Sequence, residues 1–396
     1  GGGGARFRGR NALVLAQIAF SIVLLVGAGL FLKSFWNSSS ISPGFDVEKI
    51  LTAQLRVDLL GYTKARGKGF YRDVVERTSA LPGVQAVSLS RTVPLAGSGR
   101  RTDLILEGTP GPESPEDALV VATNVVGLDY FRTMGIALMD GRDFSSEDVE
   151  GSPGVVIANE SFVARYFPSG SAMGKRVRLD RDETEWREIV GVVRDSKYRT
   201  LGEDETPYLY QPLAQQHETG VTLLVRTEAP EALAADVRRL LLSMDPHLPI
   251  SEIRPLTALV ESSLFPALMA ARLLAACSIL AVVLAAVGLY GVMSFAVSRR
   301  TRELGIRVAL GARPNELVKI VVGEGLSLVA AGIVMGWLAA FAVARLLSSF
   351  LFGVSATDLE TFLGVGLVLA LVMLGATYVP ARRAAAANPL VALRYE

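Results

Sequence analysis

The sequence predicts an α-helical membrane protein with four transmembrane helices and a large α+β extracytoplasmic domain between helices one and two. Three observations point there. Half of the 396 residues are hydrophobic, yet the chain carries 40 basic and 39 acidic residues, a balance that fits a chain divided between lipid and water. Four apolar runs with almost no charge lie at residues 12–32, 273–297, 326–347 and 361–379, each long enough to cross about 30 Å of hydrocarbon at about 1.5 Å per residue. Between the first two runs lies a long stretch in which strand and helix periodicities alternate.

The first element is a Gly/Arg-rich segment, residues 1–11, reading GGGGARFRGRN. It reads as a linker or trimmed boundary within a longer polypeptide. The apolar run behind it lacks a small-residue cleavage site, so it is expected to stay as a span. Residues 33–269 form the extracytoplasmic domain. ILTAQLRVDL, KGFYRDVVERTSAL and PGVQAVSLSRTVPL read as strand, helix and strand; GVTLLVRTEA, PEALAADVRRLLLSMD and PHLPISEIRPL repeat that order. Leu233, Val237, Leu240 and Leu241 recur at helical spacing in the second helix. Two such units can share one sheet in a ferredoxin-like plan. Residues 123–212 hold short alternating runs and read as a strand-rich subdomain inserted between them. Residues 270–380 carry the other three spans, and residues 381–396 form a C-terminal tail.

Lys and Arg near span ends set orientation. Arg6, Arg8 and Arg10 precede the first span; residues 298–319, between spans two and three, hold Arg299, Arg300, Arg302, Arg307, Arg313 and Lys319; Arg382, Arg383 and Arg394 follow the fourth. The loop SSFLFGVSATDLE has none. Four crossings put every basic segment on one side, so both termini are expected in the cytoplasm and the large domain outside the inner membrane.

Catalytic and metal signatures give near misses. GYTKARGKG has five residues between its glycines and no hydroxyl after Lys68, and GSAMGKR has three and ends in Arg176, so neither is a phosphate-binding loop; both read as turns. Cys277 stands alone inside an apolar run, and His217 and His247 have no nucleophile nearby in sequence. No catalytic, cofactor or metal site is expected, and no clustered basic face for nucleic acid. NSS at Asn37 and NES at Asn159 match the glycosylation pattern, which arises often by chance. Gly332 and Gly336 have the GxxxG spacing, a common signal for close helix approach. Glu324 is expected at headgroup depth, Arg272 and Arg345 to snorkel, and Trp36, unlike Trp337, to sit at the interface. So few polar groups in the spans argue against a hydrophilic path and for transmitting motion.

The charged segment SRRTRELGIRVALGARPNEL fits a short helix: Glu303 and Arg307 are a favourable four-apart pair, Gly311 can end it, and Pro314 can start the next helix with Glu316 in its first turn. The plain physical reading is an amphipathic helix on membrane lipid. A helix joined to two spans is also a handle for a partner.

RTRELGIRVALGARPNELVKIVVGEGL and the closing PARRAAAANPLVALRYE resemble FtsX-like permeases of the MacB type, and NVVGLDYFRTMGIALMDGRDFSSED, VVIANESFVARYFPSGSAMGKRVRL and IVGVVRDSKYRTLGEDETPYLYQPL are similar to that family's periplasmic core. The resemblance implies a non-catalytic permease subunit of an ABC transporter. It would pass motion from a cytoplasmic ATPase, which carries the ATP, to its periplasmic domain, for export of a peptide, lipid-linked or drug-like substrate. It implies docking of the ATPase on Arg302, Glu303, Leu304, Gly305, Ile306, Arg307, Ala309, Leu310, Gly311 and Ala312. It also implies a second permease half, as a homodimer or a covalently linked duplicate, with a periplasmic adaptor or outer-membrane partner beyond. Many relatives carry the ATPase in the same chain; none is found here, so a separate subunit is expected, and the glycine-rich start suggests the C-terminal half of a duplicated permease. The rival reading is regulatory: activation of a periplasmic cell-wall hydrolase or sensor without moving a substrate.

Overall fold

The computed structural model describes residues 2–40, 42–95, 99–109, 118–168, 170–180, 185–201, 203–216, 218–299, 314–346, 354–355 and 357–385. Two compact units divide the chain: one comprises Gly1–Ser40 with Phe265–Glu396, the other Ile41–Leu264. The first opens with helix α1 (Gly2–Ser40).

The second unit is strand-rich. Its first strand–helix–strand unit is β1 (Ile50–Arg56), α2 (Lys64–Ser79) and β2 (Val84–Ser90). Thr63 caps α2 by accepting from the Arg66 amide at 3.4 Å. The helix therefore starts at Lys64, and most of GYTKARGKG is its first two turns rather than a turn-forming loop. Gly67, Tyr71, Val74 and Thr78 make its buried stripe. The next elements are β3 (Arg100–Leu106), β4 (Leu119–Val126), α3 (Tyr130–Met134), β5 (Leu138–Gly141), β6 (Gly154–Asn159), α4 (Glu160–Tyr166), β7 (Arg176–Leu179), β8 (Arg187–Val193) and β9 (Tyr208–Pro212). The second unit of the pair closes the domain: β10 (Gly220–Thr227), α5 (Pro230–Met244) and β11 (Ile250–Pro255).

The two strand–helix–strand units interleave as an antiparallel sheet in the order β11-β1-β10-β2, the ferredoxin-like arrangement. Leu51, Ala53 and Leu55 of β1 point to the side covered by α2 and α5, where Leu233, Val237 and Leu241 are buried with them. Full burial of such side chains stabilises by roughly 1.5–3 kcal/mol each. β10 is central and largely buried on both faces, so its burial shows no clean alternation.

The inserted part is a closed ring. β4 pairs β3, β3 pairs β7, β7 pairs β8, β8 pairs β6, β6 pairs β9, and β9 returns to β4 in parallel, Ala122 opposite Tyr208 through Val126 opposite Pro212. Each of the six strands sends residues into one core, among them Leu104, Val121, Ala158, Val177, Ile189 and Leu209, with Phe162 of α4. Closure removes the unpaired edges that an open insert would expose. The ring takes in β3, so it begins at Arg100, ahead of the junction expected at residue 123.

Helix α6 (Leu256–Arg299) leaves the strand-rich unit, where Leu256 and Leu259 are in the core. Helices α7 (Pro314–Leu346) and α8 (Leu359–Ala385) follow. Among the described residues four helical stretches are long and apolar enough to span a membrane: Asn11–Asn37, Leu268–Arg299, Val318–Leu346 and Leu359–Arg383.

Candidate functional site

All ten residues proposed from sequence for partner docking, from Arg302 to Ala312, lie outside the described residues. Their flanks are described. Arg299 ends α6, and α7 starts at Pro314 with Glu316 in its first turn, as a missing amide and a favourable charge at a helix start predict. The segment proposed for docking thus has a helix of the membrane unit on each side.

In that unit α1 is packed on several sides. Val14, Ile18, Ile22, Val26 and Leu30 form a fully buried ridge at four-residue spacing. The GxxxG pair of α7 receives that ridge: a Cβ added at Gly332 would stand 2.6 Å from Ile18 Cγ2, and one at Gly336 would stand 2.6 Å from Ile22 Cβ. On α6, Gly288 meets Val14 and Gln17, and Gly27 of α1 meets Leu274. Gly325 of α7 lies against Thr377 of α8, and Gly366 of α8 against the Trp337 ring, whose Nε1 donates to the Phe362 carbonyl at 3.2 Å. Trp337 is therefore a helix–helix contact, while Trp36 is 62% exposed. Small residues permit the close van der Waals approach that holds helices together in lipid.

Three buried hydroxyls in the spans serve their own helices. Ser21 donates to the Gln17 carbonyl, Ser278 to that of Leu274, and Thr377 to that of Leu374, at 2.6–2.9 Å. They line no polar path among the described residues. At the end of α1 that leads to the strand-rich unit, Lys33 Nζ is 2.7 Å from both Asp358 and Glu360. Asp358 also caps α8, accepting from the Thr361 amide at 3.0 Å and its hydroxyl at 2.5 Å. At the other end of α8, Arg383 donates to Tyr290 Oη on α6 at 2.9 Å. Asp358→Ala is expected to lower stability by about 1 kcal/mol through the lost cap. Glu360→Ala, removing an exposed partner, should change it by about 0–1 kcal/mol. Thermal midpoints of the two variants in detergent check the ranking.

Within the strand-rich unit the sheet and the ring meet, among the described residues, at one ladder pair, Ser90 opposite Val126. A buried carboxamide reinforces that joint: Asn124 Nδ2 donates to Ser90 Oγ at 3.0 Å and to the Thr92 carbonyl at 2.9 Å, and its Oδ1 accepts from the Thr92 amide at 3.0 Å. Beside it Tyr130 and Tyr198 share a hydrogen bond at 2.8 Å, and Tyr198 stacks on Tyr208 with centroids 4.1 Å apart. Burial pushes the phenols of Tyr130, Tyr198, Tyr208 and Tyr210 above their ordinary range, so all four are neutral. Asn124→Ala would leave buried groups unpaired, and should cost about 1–3 kcal/mol. A lower melting midpoint of the strand-rich unit, with helical circular dichroism retained, is the expected reading.

Asn159, the second glycosylation match, is 2% exposed and fully engaged. Its Oδ1 accepts from the Phe162 and Tyr208 amides, and its Nδ2 donates to the Thr206 carbonyl. It is the cap of α4 and offers no surface for a glycan.

Residues 12–240 match the family of MacB-like periplasmic core domains, and residues 275–389 match the FtsX-like permease C-terminal family. The macrolide export ATP-binding/permease protein MacB of Chromobacterium violaceum is 26% identical over 287 residues, which cover 68% of this chain and 43% of that protein. An uncharacterized ABC transporter permease, YvrN of Bacillus subtilis, is 26% identical over 293 residues, covering 68% of each chain. This chain thus spans less than half the length of that MacB relative. Among solved structures, the periplasmic region of MacB from Actinobacillus actinomycetemcomitans is 17% identical with a TM-score of 0.38, over 55% of this chain and 94% of that one. The extracellular domain of the noncanonic ABC-type transporter YknZ is 15% identical with a TM-score of 0.34, over 51% of this chain and all of that one.

Proposed function

The chain belongs to the family of permeases with a MacB-like periplasmic core and an FtsX-like C-terminal domain, and from that premise we propose that it is the permease subunit of an ABC-type complex, passing ATP-driven motion from a cytoplasmic ATPase to its periplasmic domain. The observation that carries the reading is the match of residues 275–389 to FtsX-like permeases, a range that contains the charged segment between α6 and α7.

The proposed order of events follows from the connections. An ATPase that grips residues 302–312 pulls on the end of α6 and the start of α7 together. The close glycine contacts of α7 with α1 and α8 spread that displacement through the bundle, and α6 continues into the strand-rich unit. A packed bundle shifts between discrete arrangements rather than deforming smoothly. Hydroxyls that bond within their own helices support motion as the output, since the described spans give a hydrophilic solute nothing to follow. The basic flanks support a cytoplasmic side for both termini and the charged segment.

The same reading assigns a second permease half, identical or covalently linked. Leu273, Leu280, Val283 and Leu284 on α6 stay exposed in the single chain, an apolar face for that half or for lipid. The output is export of a peptide, lipid-linked or drug-like substrate, with a periplasmic adaptor or outer-membrane partner. The test is purification of the tagged chain from native membranes. Recovery of an ABC ATPase supports the permease reading, and with it an adaptor or outer-membrane channel supports export. Recovery of a cell-wall hydrolase in place of the channel moves the output to regulation, and recovery of no ATPase contradicts the proposal.

A further inference from the structure

The joint between the sheet and the ring opens on one side into a cleft of about 790 Å³, inside the roughly 300–1,000 Å³ typical of small-molecule sites. Its walls come from both halves of the strand-rich unit: Tyr71 and Val75 on α2, Leu89 on β2, Leu128 after β4, Val149 in the loop after β5, and Leu213 after β9. Leu128 and Val149 are 45% and 46% exposed there, large apolar side chains that nothing in the described chain covers.

The charged groups that line the cleft, Lys68, Arg72, Glu76, Glu150 and Glu218, are of both signs, and Lys68, Glu150 and Glu218 are paired within the chain. Glu150 is 2.6 Å from Lys64 and 2.7 Å from Lys68, and Glu218 is 3.1 Å from Arg91. Hydrogen bonds from the two ammonium groups hold the Glu150 carboxyl down at about 2. That clasp is charged above the ordinary carboxyl range and is lost only as the pH falls through about 2. A charged ligand meets groups of its own sign and competes with these pairs; a neutral one leaves them intact. The clasp joins the loop of the ring to α2 through exposed ion pairs, which contribute little each and open readily. The cleft wall is low at Gly69, where an added Cβ meets nothing within 4 Å.

We infer that this cleft binds a neutral, largely apolar small molecule of drug-like size, with the Lys64–Glu150–Lys68 clasp closing over it. The inference goes beyond the permease reading and does not depend on an ATPase.

The test uses the full chain in lipid nanodiscs and a neutral photoreactive probe, trifluoromethyl-phenyldiazirine benzyl alcohol, with labelled peptides mapped by mass spectrometry. Labelling of peptides containing residues 65–76 and 145–150 is expected to reach a plateau with probe concentration. It should fall about tenfold in Gly69→Trp, which fills the cleft, and stay in Gly69→Ala. Ala65→Trp, on the same helix, serves as the second filling variant if Gly69→Trp lowers the melting midpoint. The benzoate analogue of the probe should label these peptides about tenfold less. Labelling that rises without a plateau, or that both Trp variants leave unchanged, overturns the site; equal labelling by the benzoate overturns the neutral ligand. Failure here leaves ATPase association untouched, and loss of the ATPase leaves this labelling untouched, so the two readings fail separately.

Discussion

A chain carrying Glu303→Arg together with Leu304→Asp is expected to reach the membrane at the wild-type level and to lose its ATPase on purification. The segment hangs between two described anchors, Arg299 at the end of α6 and Pro314 at the start of α7. Neither anchor is altered, so insertion and bundle packing are preserved. The first change reverses a charge and breaks the four-apart pair of Glu303 with Arg307; the second puts a carboxylate where an apolar contact would be. Truncating a central interface residue costs about 2–4 kcal/mol, and two such losses weaken Kd by about three to six decades. Affinity capture followed by quantitative immunoblotting reads the result. Retained association would make the segment an interfacial helix on lipid, with its arginines at phosphates.

The second large effect is in the bundle. Gly332→Ile with Gly336→Ile is expected to separate α1 from α7. The new Cβ atoms would stand 2.6 Å from Ile18 Cγ2 and 2.6 Å from Ile22 Cβ, nearer than carbon atoms approach, and Ile22 is met at its own branch point rather than at a flexible tip. Overpacking costs about 1–3 kcal/mol per site. In lipid that loss falls on the van der Waals contact that drives association. Lower yield of folded protein in detergent and a lower melting midpoint are the expected readings, partly restored by Ile18→Gly with Ile22→Gly. Gly364→Ile and Gly375→Ile, where an added Cβ meets nothing within 4 Å, should leave both unchanged.

Much of the fold was legible in sequence because its signals are local. An uncharged run of about twenty residues has few alternatives to a span, and two strand–helix–strand patterns suffice for the β11-β1-β10-β2 sheet. Hydropathy could not show that the helices outrun the apolar windows. α6 begins at Leu256, ahead of any charge-poor run, since a helix looks no different as it leaves lipid. The closed ring was hidden for another reason: β4 and β9 pair in parallel across more than eighty residues, and nothing local to either strand encodes its partner. Thr63 was the missed signal for α2, a good cap four residues ahead of the turn that Gly67 and Gly69 suggested. Gly332 and Gly336 show the limit of a motif: the spacing is common, and only the ridge of Ile18 and Ile22 gives it a partner. The segment proposed for docking rests on family resemblance and helix signals alone. The cleft and Asn124 were not legible, because both arise where distant strands meet.

The most direct test of the account is hydrogen–deuterium exchange of the assembled complex in nanodiscs, nucleotide-free against vanadate-trapped. Transmission predicts altered protection in two places that touch no nucleotide: residues 298–319 and the strand-rich unit, including the joint around Ser90 and Asn124. Glu303→Arg with Leu304→Asp should erase the distant change. Identical exchange of the strand-rich unit in both states, with the ATPase bound and trapped, would contradict it.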